Sequence, residues 1–440
     1  MQHMDTLLSK ITAKSIHIGI VGMGYVGLPL ALTFVEQGQV RVTGFDVDSS
    51  KVQALSRGES YMMHLSADRI SNANACSLFD ATNDFNRLCE PDVLIIAVPT
   101  PLTPQREPDM RFIVQTAEAI CKRLRKGQLV ILESTTYPGT TDELLKSILE
   151  SSGLKCGIDF LLAFSPERED PGNREYSTAS IPKVVGGVDS HATEFAAAVY
   201  GLVWDRVVRV SSSRAAEAAK LTENIFRAVN IALVNELKVA FDRMDIDIWE
   251  VLDAAATKPF GFMKFSPGPG LGGHCIPLDP FYLTWKAREY GLSTRFIELA
   301  GEVNVSMPHF VVGKLQAALN DRSKSVKGSK ILVLGLAYKK DIDDTRESPS
   351  LELIHLLLGL GATIVYHDPH IPIAPKMHSW PQLPEMRSVP LESDLVSSVD
   401  AVLISTDHSN VDYELLANNA RLIIDSRGVY RDRRPNVVKA

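Results

Sequence analysis

The 440-residue sequence has no long apolar run, no cysteine spacing typical of a metal site and no excess of positive charge. No stretch approaches the roughly 20 apolar residues of a membrane-spanning helix, and the N-terminus lacks a signal-peptide pattern. The net charge of −7 gives no general attraction to nucleic acid or to an anionic membrane. Five cysteines, an odd number, favour free thiols in a reducing compartment. We therefore predict a cytoplasmic globular protein without nucleic-acid, membrane or metal partners.

The first third carries the pattern of a dinucleotide-binding fold. A buried strand over 15–21 leads directly into Gly22-Met-Gly-Tyr-Val-Gly27, and a helix is predicted over 28–37. In this fingerprint the glycines make the turn, admit the pyrophosphate and let helix pack on strand. A second strand ends at Asp46, whose carboxylate should accept the ribose hydroxyls and repel a 2′-phosphate. We predict NAD rather than NADP, bound by Gly22, Met23, Gly24, Tyr25, Val26, Gly27 and Asp46.

Alternating strands and helices continue to about residue 210. Two further buried strands, over 92–98 and 128–133, end in polar loops that carry Thr100 and Thr135. Ligands of open α/β sheets lie beyond the carboxyl ends of the strands, so both threonines are candidate contacts for cofactor or water. Threonines that only cap turns would give the same pattern.

A charged loop follows the apolar stretch 160–164. It contains Glu167 and Arg168. A solvated loop is the alternative, but the position directly after a strand favours a ligand loop.

Residues 214–243 contain neither proline nor glycine and predict one long helix. Such a helix exceeds the ordinary globular length, so we expect it to join two domains and to support a dimer. Lys220 and Asn224 are four residues apart and share a face. They could be solvated, or Lys220 could stabilise an oxyanion while Asn224 holds a water or hydroxyl.

The segment Gly270-Leu-Gly-Gly-His-Cys-Ile-Pro-Leu-Asp279 is the candidate reaction centre. Its glycines allow close backbone approach to a ligand. Asp279 and Pro280 suit the start of a helix, which would place Cys275 near a helix N-terminus, where the pKa of a thiol falls. Cys275 is therefore a candidate nucleophile, with a small buried cysteine as the alternative. The preceding Gly-, Pro- and aromatic-rich stretch, which includes Phe265, is interpreted as a loop that encloses substrate.

The last third predicts a second α/β unit. Its first strand is followed by Gly335 alone, so the dinucleotide fingerprint is absent. Lys339, Arg346 and Arg427 follow strands, and basic groups there suit a diphosphate. Surface salt bridges are the alternative.

Six motifs occur in order along nearly the whole chain. They are Gly22-Met-Gly-Tyr-Val-Gly-Leu-Pro-Leu-Ala31, Ala97-Val-Pro-Thr-Pro101, Glu133-Ser-Thr135, Lys220-Leu-Thr-Glu-Asn224, Gly272-Gly-His-Cys-Ile-Pro-Leu-Asp279 and Gly335-Leu-Ala-Tyr-Lys-Lys-Asp-Ile-Asp-Asp-Thr-Arg346. As an ordered set they resemble the nucleotide-sugar 6-dehydrogenases, the family of UDP-glucose and UDP-N-acetylhexosamine dehydrogenases. The loop 165–173 resembles the bacterial N-acetylhexosamine branch, especially UDP-N-acetylglucosamine 6-dehydrogenases. Pro259-Phe260 replaces an arginine seen in UDP-glucose enzymes.

The pattern and the resemblance together predict two Rossmann-like, doubly wound parallel-sheet α/β domains joined by a long central helix. We expect an NAD-binding domain over 1–212, a central helical domain with the cysteine loop over 213–320, and a UDP-sugar-binding domain over 321–440. A homodimer or higher homo-oligomer is expected.

The resemblance implies a four-electron oxidation of the sugar C6 alcohol to a carboxylate, with two NAD used in turn, for surface polysaccharide precursors. The implied catalytic residues are Cys275, Lys220, Asn224, Asp279, Glu167 and Thr135. The cofactor set gains Thr100, Thr135 and Arg346. The implied substrate contacts are Glu167, Arg168, Lys220, Asn224, Phe265, Gly272, Lys339 and Arg427.

Three alternatives stay open at this point. The sugar could be UDP-N-acetylmannosamine, UDP-N-acetylgalactosamine or UDP-glucose instead of UDP-N-acetylglucosamine. The enzyme could be a two-electron β-hydroxyacid dehydrogenase with Lys220 and Asn224 as its pair, although Cys275 would then have no use. The chain could also be a regulator that binds NAD and a UDP-sugar without turnover.

Overall fold

The computed structural model describes residues 2–62, 65–103, 105–168, 180–273, 276–375 and 380–440, with residues 2–5 as backbone only. The chain divides into two compact units. One contains residues 1–223 and 281–292, and the other contains residues 224–280 and 293–440. Among the described helices, none is long and apolar enough to cross a membrane.

The first unit is built on an eight-stranded sheet in the order β3-β2-β1-β4-β5-β6-β7-β8. Its strands are β1 (His17–Val21), β2 (Arg41–Phe45), β3 (Phe79–Thr82), β4 (Val93–Ile96), β5 (Leu129–Leu132), β6 (Leu161–Phe164), β7 (Lys183–Gly187) and β8 (Val207–Arg209). The order 3-2-1-4-5-6 is that of dinucleotide-binding sheets. β7 joins β6 antiparallel, through the pairs Ala163–Gly187 and Phe164–Gly186, and the other neighbours are parallel. The sheet is thus parallel except at this junction, which the sequence pattern did not predict.

Helices cover both faces of this sheet. They are α1 (Gln2–Thr12), α2 (Gly27–Thr33), α3 (Ser49–Ser56), α4 (Ala67–Ala75), α5 (Arg111–Cys121), α6 (Lys146–Glu150) and α7 (Ser190–Tyr200). α2 continues as a π-helical turn to Gly38, close to the predicted end of this helix. Alternate side chains of β4 enter two different cores, Val93 and Ile95 on one face and Leu94 and Ile96 on the other. Burial on both faces explains why this strand is continuously apolar.

The second unit is built on a five-stranded, fully parallel sheet in the order β10-β9-β11-β12-β13. Its strands are β9 (Lys330–Leu334), β10 (Thr363–His367), β11 (Ala401–Ile404), β12 (Ile423–Asp425) and β13 (Val437–Lys439). The helices that lie wholly within this unit are α9 (Ile248–Ala256), α11 (Arg295–Asn320), α12 (Pro349–Gly359), α13 (Ser393–Ser398) and α14 (Tyr413–Asn419). Ile331 and Val333 enter one core while Leu332 and Leu334 enter another, so this sheet is also covered on both faces.

Two helices each contain one of the three boundaries between the units. The long helix α8 (Ser213–Arg243) matches its predicted span, and the boundary falls at residues 223–224. The helix α10 (Asp279–Glu289) begins with Asp279 and Pro280, as predicted. The predicted fold class is confirmed: two Rossmann-like sheets with helices between them. The three-domain division, with boundaries at 212 and 320, stays a prediction.

Candidate active site

The loop after β1 has the geometry of a phosphate-binding turn. Gly22 has φ +99°, and a Cβ there would lie 2.6 Å from the carbonyl oxygen of Ala97. A Cβ at Gly27 would overlap the carbonyl oxygen of Gly22, so only glycine lets α2 start this close to the turn. A Cβ at Gly24 would meet nothing within 4 Å. The open position at Gly24 is where a pyrophosphate would approach, so the residues fit NAD.

Asp46 holds this turn from the end of β2. Its Oδ2 accepts a hydrogen bond from the Met23 N–H at 2.9 Å, and its Oδ1 accepts one from the Asp48 N–H at 2.9 Å. The Oδ1 atom has a further lone pair, so capacity for a ribose hydroxyl remains. Lys51 lies 3.4 Å from the same carboxylate.

The other predicted cofactor residues of this turn differ in exposure. The Met23 side chain is fully buried and packs against Gly44, so only its backbone can face a ligand. Val26 is partly buried against the core, and Tyr25 is about half exposed.

The loops after β4 and β5 leave the same sheet edge, because both strands run parallel to β1. Thr100 is buried, and its carbonyl accepts a hydrogen bond from the Tyr282 hydroxyl. Thr135 is partly buried, and the neighbouring Ser134 hydroxyl donates to the Val98 carbonyl at 2.7 Å. Both threonines thus lie in loops at the edge that carries the glycine turn.

A buried glutamate, Glu217 of α8, holds the loop that contains Thr135. Its carboxylate accepts from the Gly139 N–H at 2.7 Å, the Thr141 N–H at 2.9 Å and the Thr141 hydroxyl at 2.6 Å. Burial raises the pKa of Glu217 to about 7, although these hydrogen bonds oppose the rise. Sequence reasoning missed this residue. Its position three residues before Lys220, near the same helix face, was the available signal.

Glu167 connects several of the predicted site residues of the first unit. Its carbonyl accepts a hydrogen bond from the Lys220 ammonium at 2.5 Å, and its carboxylate accepts from the Arg168 N–H at 2.7 Å. The Arg168 guanidinium pairs with Glu223 at 2.6 Å. Lys220, predicted from the long helix, therefore lies together with Glu167 and Arg168, which were predicted from the charged loop. Glu169, the next residue of the charged loop, lies outside the described residues.

Lys183 of β7 is a buried charge that sequence reasoning missed. It is 2% exposed and lies 2.6 Å from Glu133 and 3.2 Å from Glu167. Its ammonium is also 5.0 Å from the ring centroids of Tyr200 and Trp204. Burial opposes its charge, but the two carboxylates outweigh burial and raise the pKa of Lys183. A lysine inside an apolar strand was the available signal.

In the second unit, Asn224 and Asp279 lie in contact. The Asn224 amide donates to Oδ2 of Asp279 at 2.5 Å, and both residues are buried. His274 and Cys275, the central residues of the predicted reaction centre, lie outside the described residues. The described residues nearest to Cys275 in the chain are Gly273 and Ile276.

The glycines before Cys275 pack against protein. A Cβ at Gly272 would overlap the Cβ of Tyr338, and one at Gly273, which has φ +85°, would lie 2.9 Å from the Tyr338 ring. The Gly273 N–H donates to the Arg346 carbonyl at 2.8 Å. These glycines therefore let the cysteine loop lie against the segment after β9. This packing is a second reason why glycine is needed at these positions, and the sequence did not show it.

A chain of buried amides fixes the approach to this loop. The Gly268 N–H donates to Asn235 at 3.0 Å, Asn235 donates to Asn304 at 2.9 Å, and Asn304 donates to the Ala228 carbonyl at 3.1 Å. Neither asparagine was predicted. Asn235 lies eleven residues after Asn224, or about three helical turns, which places both on one face of α8.

The predicted substrate contacts of the second unit are partly engaged with protein. Arg427 donates from Nε to the Ser405 carbonyl at 2.6 Å, and burial lowers its pKa. Arg346, which was predicted as a cofactor contact, makes a bidentate pair with Oδ2 and Oδ1 of Asp344 at 2.6 and 3.0 Å. Phe265 packs edge-on against Phe226 with ring centroids 5.8 Å apart. Lys339 is partly buried in the segment after β9.

The fold and the glycine turn define an NAD-binding dehydrogenase of the Rossmann class. The sequence matches the UDP-glucose/GDP-mannose dehydrogenase family in three parts: its NAD binding domain over residues 16–203, its central domain over 214–306 and its UDP binding domain over 332–432. The chain therefore belongs to this family and is an NAD-dependent nucleotide-sugar dehydrogenase.

Individual relatives cover most of the chain. It is 36% identical to the UDP-N-acetyl-D-glucosamine 6-dehydrogenase of Pseudomonas aeruginosa, over 90% of this chain and 91% of that protein. It is 32% identical to the UDP-N-acetyl-D-mannosamine dehydrogenase of Pyrococcus horikoshii, over 94% and 96%. A solved structure of UDP-D-ManNAc dehydrogenase from Pyrococcus horikoshii superimposes with a TM-score of 0.87 at 30% identity, covering 96% of this chain and 98% of that one.

Proposed function

We propose that the protein oxidises the C6 alcohol of UDP-N-acetylglucosamine to the carboxylate, in a four-electron reaction through a thioester at Cys275. The observation that carries the proposal is the Asn224–Asp279 hydrogen bond, 2.5 Å long, made by the residue four positions after Cys275. It joins the helix that carries Lys220 and Asn224 to the cysteine loop. The resemblance of these motifs to the nucleotide-sugar dehydrogenases supports the roles assigned below.

NAD, when bound, would serve as the hydride acceptor, and two NAD molecules would be used in turn. The net reaction converts the alcohol, two NAD⁺ and water to the carboxylate, two NADH and three protons. Gly22, Gly24 and Gly27 give the pyrophosphate its approach, and Asp46 selects the unphosphorylated ribose. Met23, Tyr25 and Val26 contribute backbone to the turn, while Thr100, Thr135 and Arg346 complete the cofactor contacts.

Cys275 captures the aldehyde that the first oxidation produces. Its thiolate adds to the carbonyl carbon and forms a thiohemiacetal, whose remaining C6 hydrogen leaves as hydride in the second oxidation. The resulting thioester is hydrolysed by water, which frees the acid and the thiol. Covalent capture divides a difficult step in two and prevents escape of the aldehyde.

Lys220 and Asn224 stabilise the oxyanions. The Lys220 ammonium uses one of its three donors on the Glu167 carbonyl, which leaves two for the substrate oxygen. Asn224 is oriented by Asp279. Asp279 and Glu167, with Thr135, position and activate the water.

Lys339 and Arg427 supply the positive charge that a diphosphate needs. Both residues follow strands of the second sheet. Glu167, Arg168, Phe265 and Gly272 complete the sugar contacts. The relatives named above act on epimers at C2, so the assignment to UDP-N-acetylglucosamine rests on the greater identity of the Pseudomonas aeruginosa protein and on the loop 165–173.

A side-by-side assay tests the substrate. NADH formation is measured with UDP-N-acetylglucosamine, UDP-N-acetylmannosamine, UDP-N-acetylgalactosamine and UDP-glucose. We expect the highest kcat/KM for UDP-N-acetylglucosamine. A higher value for another sugar transfers the assignment to that sugar, and no NADH with any of them contradicts the proposed activity.

Replacing Cys275 tests the covalent step. Cys275→Ser should abolish acid formation and leave NAD and UDP-sugar binding near wild type, because a hydroxyl is a much weaker nucleophile than a thiolate. Cys89→Ser, at an exposed free thiol, is the matched control and should keep full activity. Wild-type acid formation by Cys275→Ser would remove the thioester from the mechanism.

We further propose that the protein forms a homodimer or a higher homo-oligomer in the cytoplasm. Phe226 and Leu233 of α8 are about half exposed and lie seven residues apart, which is two helical turns. Phe296, Leu299 and Val305 of α11 are also exposed. Exposed apolar side chains on neighbouring positions of a helix are typical of a face that another protein covers.

A further inference from the structure

A cavity of about 350 Å³ lies within the second unit, and none of its lining residues belongs to the proposed active site. It is formed by the end of α8, the start of α9 and the C-terminal strand β13. Its volume falls in the range of small-molecule pockets, roughly 300–1,000 Å³. Lys238, Trp249, Lys314 and Lys439 are among the residues that line it.

Lys238 is a buried amine that has no carboxylate in direct contact among the described residues. Its side chain is on α8, and the residue is 3% exposed. Within the part of the chain that the structure describes, no carboxylate oxygen lies within 4 Å of its ammonium, and its one hydrogen-bond acceptor is the Ser426 carbonyl at 3.5 Å. The rings of Trp249 and Phe310 lie 5.0 and 5.9 Å away. An unpaired buried ammonium is costly, so this position favours an additional anion.

Four other cations of the cavity differ from Lys238 because each already has a carboxylate, which for Arg433 is Asp245 at 3.4 Å. Lys314 pairs with Asp242 at 2.8 Å, Lys439 pairs with Asp247, and Arg434 pairs with Glu414 at 2.8 Å. The Trp249 indole N–H, also buried, has no acceptor in the described structure. Among the described lining residues, the Trp249 indole thus has no acceptor, and the Lys238 ammonium has only the Ser426 carbonyl at 3.5 Å.

Charged groups on several elements act on Lys238, and the carboxylates of Asp242, Asp245, Asp247 and Asp432 also line the cavity. Burial lowers the pKa of Lys238 to about 7, Asp425 and Asp242 act to raise it, and Arg427 and Lys314 act to lower it. The amine therefore changes charge near neutral pH.

We propose that this cavity binds a small ligand through an oxyanion, a phosphate or a carboxylate, whose oxygens accept hydrogen bonds from the Lys238 ammonium. The ligand places a negative charge in direct contact with this ammonium, where no carboxylate oxygen of the described residues lies within 4 Å. Since the bound anion favours the protonated amine, binding takes up a proton near neutral pH.

Calorimetric titration with inorganic sulfate tests the proposal, because sulfate keeps its charge throughout the neutral range. Wild-type protein should bind sulfate at about pH 6 and lose more than about tenfold in affinity by about pH 8.5, as Lys238 loses its proton. Lys238→Met should lose this binding at both pH values. Lys327→Met, at an exposed lysine outside the cavity, should behave as wild type.

Lys238→Arg separates charge from folding effects. Arginine stays protonated at both pH values, so this variant should bind sulfate with little dependence on pH. If Lys238→Met does not fold, Lys238→Arg still tests the proposal. A parallel titration with malonate shows whether the site prefers a tetrahedral or a planar oxyanion. Equal sulfate binding by wild type and folded Lys238→Met, no binding by wild type, or an unchanged pH dependence in Lys238→Arg would overturn the proposal.

Discussion

Lys183 shows how a single residue can hold a polar cluster inside the first unit. It contacts Glu133 from β5 and Glu167 from the loop after β6, which are separated from it along the sequence. The sequence shows a lysine inside an apolar strand, but its partners follow only from the strand order β5-β6-β7. A sequence pattern can predict the structure of its own segment. Contacts between distant segments can be predicted only when the sheet topology is known.

Removal of the Lys183 charge should destabilise the protein. Lys183→Met leaves Glu133 buried beside no cation, so we expect a loss of about 3–5 kcal/mol in the free energy of unfolding. Urea denaturation measures this loss. Lys126→Met, at an exposed lysine paired with Asp159, should cost less than about 1 kcal/mol. Equal stability of the two variants would show that the buried cluster does not need its cation.

Glu217 should give the stability a specific pH dependence. Its pKa is about 7 in the folded protein and 4.5 when unperturbed. The folded protein therefore binds the Glu217 proton more tightly than the unfolded protein does. The stability that this proton contributes is fully present below the unperturbed pKa of 4.5 and is lost as the pH rises through about 7. The slope from this one group approaches about 1.4 kcal/mol per pH unit between the two values.

Glu217→Gln tests this dependence. Denaturation midpoints are measured at several pH values between the two pKa values. The variant should show a smaller fall in stability with rising pH than wild type, while Glu118→Gln, at an exposed glutamate of α5, should keep the wild-type slope. Identical slopes in wild type and Glu217→Gln would contradict the raised pKa.

At the scale of elements, the cysteine loop shows which features the sequence predicts and which it does not. Its glycines correctly predicted close approach, and the sequence favoured a ligand as the partner. The structure shows Tyr338 against Gly272 and Gly273. A glycine run shows that something approaches the backbone, but it does not identify the partner, which lies far along the chain.

A side chain at Gly272 should displace this loop. In Gly272→Ala the new Cβ overlaps Tyr338, so the loop must shift, and a shift near the reacting groups should lower kcat by about tenfold or more. Gly313→Ala in α11, where a Cβ meets nothing within 4 Å, is the control and should keep wild-type kcat. Circular dichroism checks that both variants fold. A wild-type kcat in Gly272→Ala would show that the loop tolerates the displacement.

The strands and helices were largely predictable, and the direction of β7 was not. The apolar runs of β4, β5 and β6 predict buried strands, and the absence of proline and glycine predicted α8. An apolar run looks alike in a parallel and an antiparallel strand, so the antiparallel pairing of β6 and β7 depends on the path between them.

At the scale of the whole molecule, both sheets use an aspartate to hold the first loop. Asp46 accepts from Met23 in the first unit, and Asp368 accepts from Leu336 and Ala337 at 2.6 and 2.9 Å in the second. Nε2 of His408 lies 3.1 Å from Oδ2 of Asp368, and Nζ of Lys51 lies 3.4 Å from Oδ2 of Asp46. The glycine fingerprint is absent from the sequence of the second sheet, and only the structure shows that the aspartate is retained.

The oligomeric state can be measured directly. Light scattering after gel filtration should give at least twice the 48.3 kDa chain mass. Leu233→Glu places a charge on the exposed face of α8 and should reduce the mass to that of one chain. Leu8→Glu, at an equally exposed leucine of α1, should not change it. A wild-type monomer would contradict the proposed self-association.

The stoichiometry of NAD reduction tests the central claim most directly. The protein is given excess NAD and a limiting, known amount of UDP-N-acetylglucosamine, and the NADH absorbance is followed to its end point. Capture of the aldehyde by Cys275 and a second oxidation predict two NADH for each sugar consumed, together with one uronic acid. One NADH for each sugar, with free aldehyde as the product, would contradict the four-electron reaction.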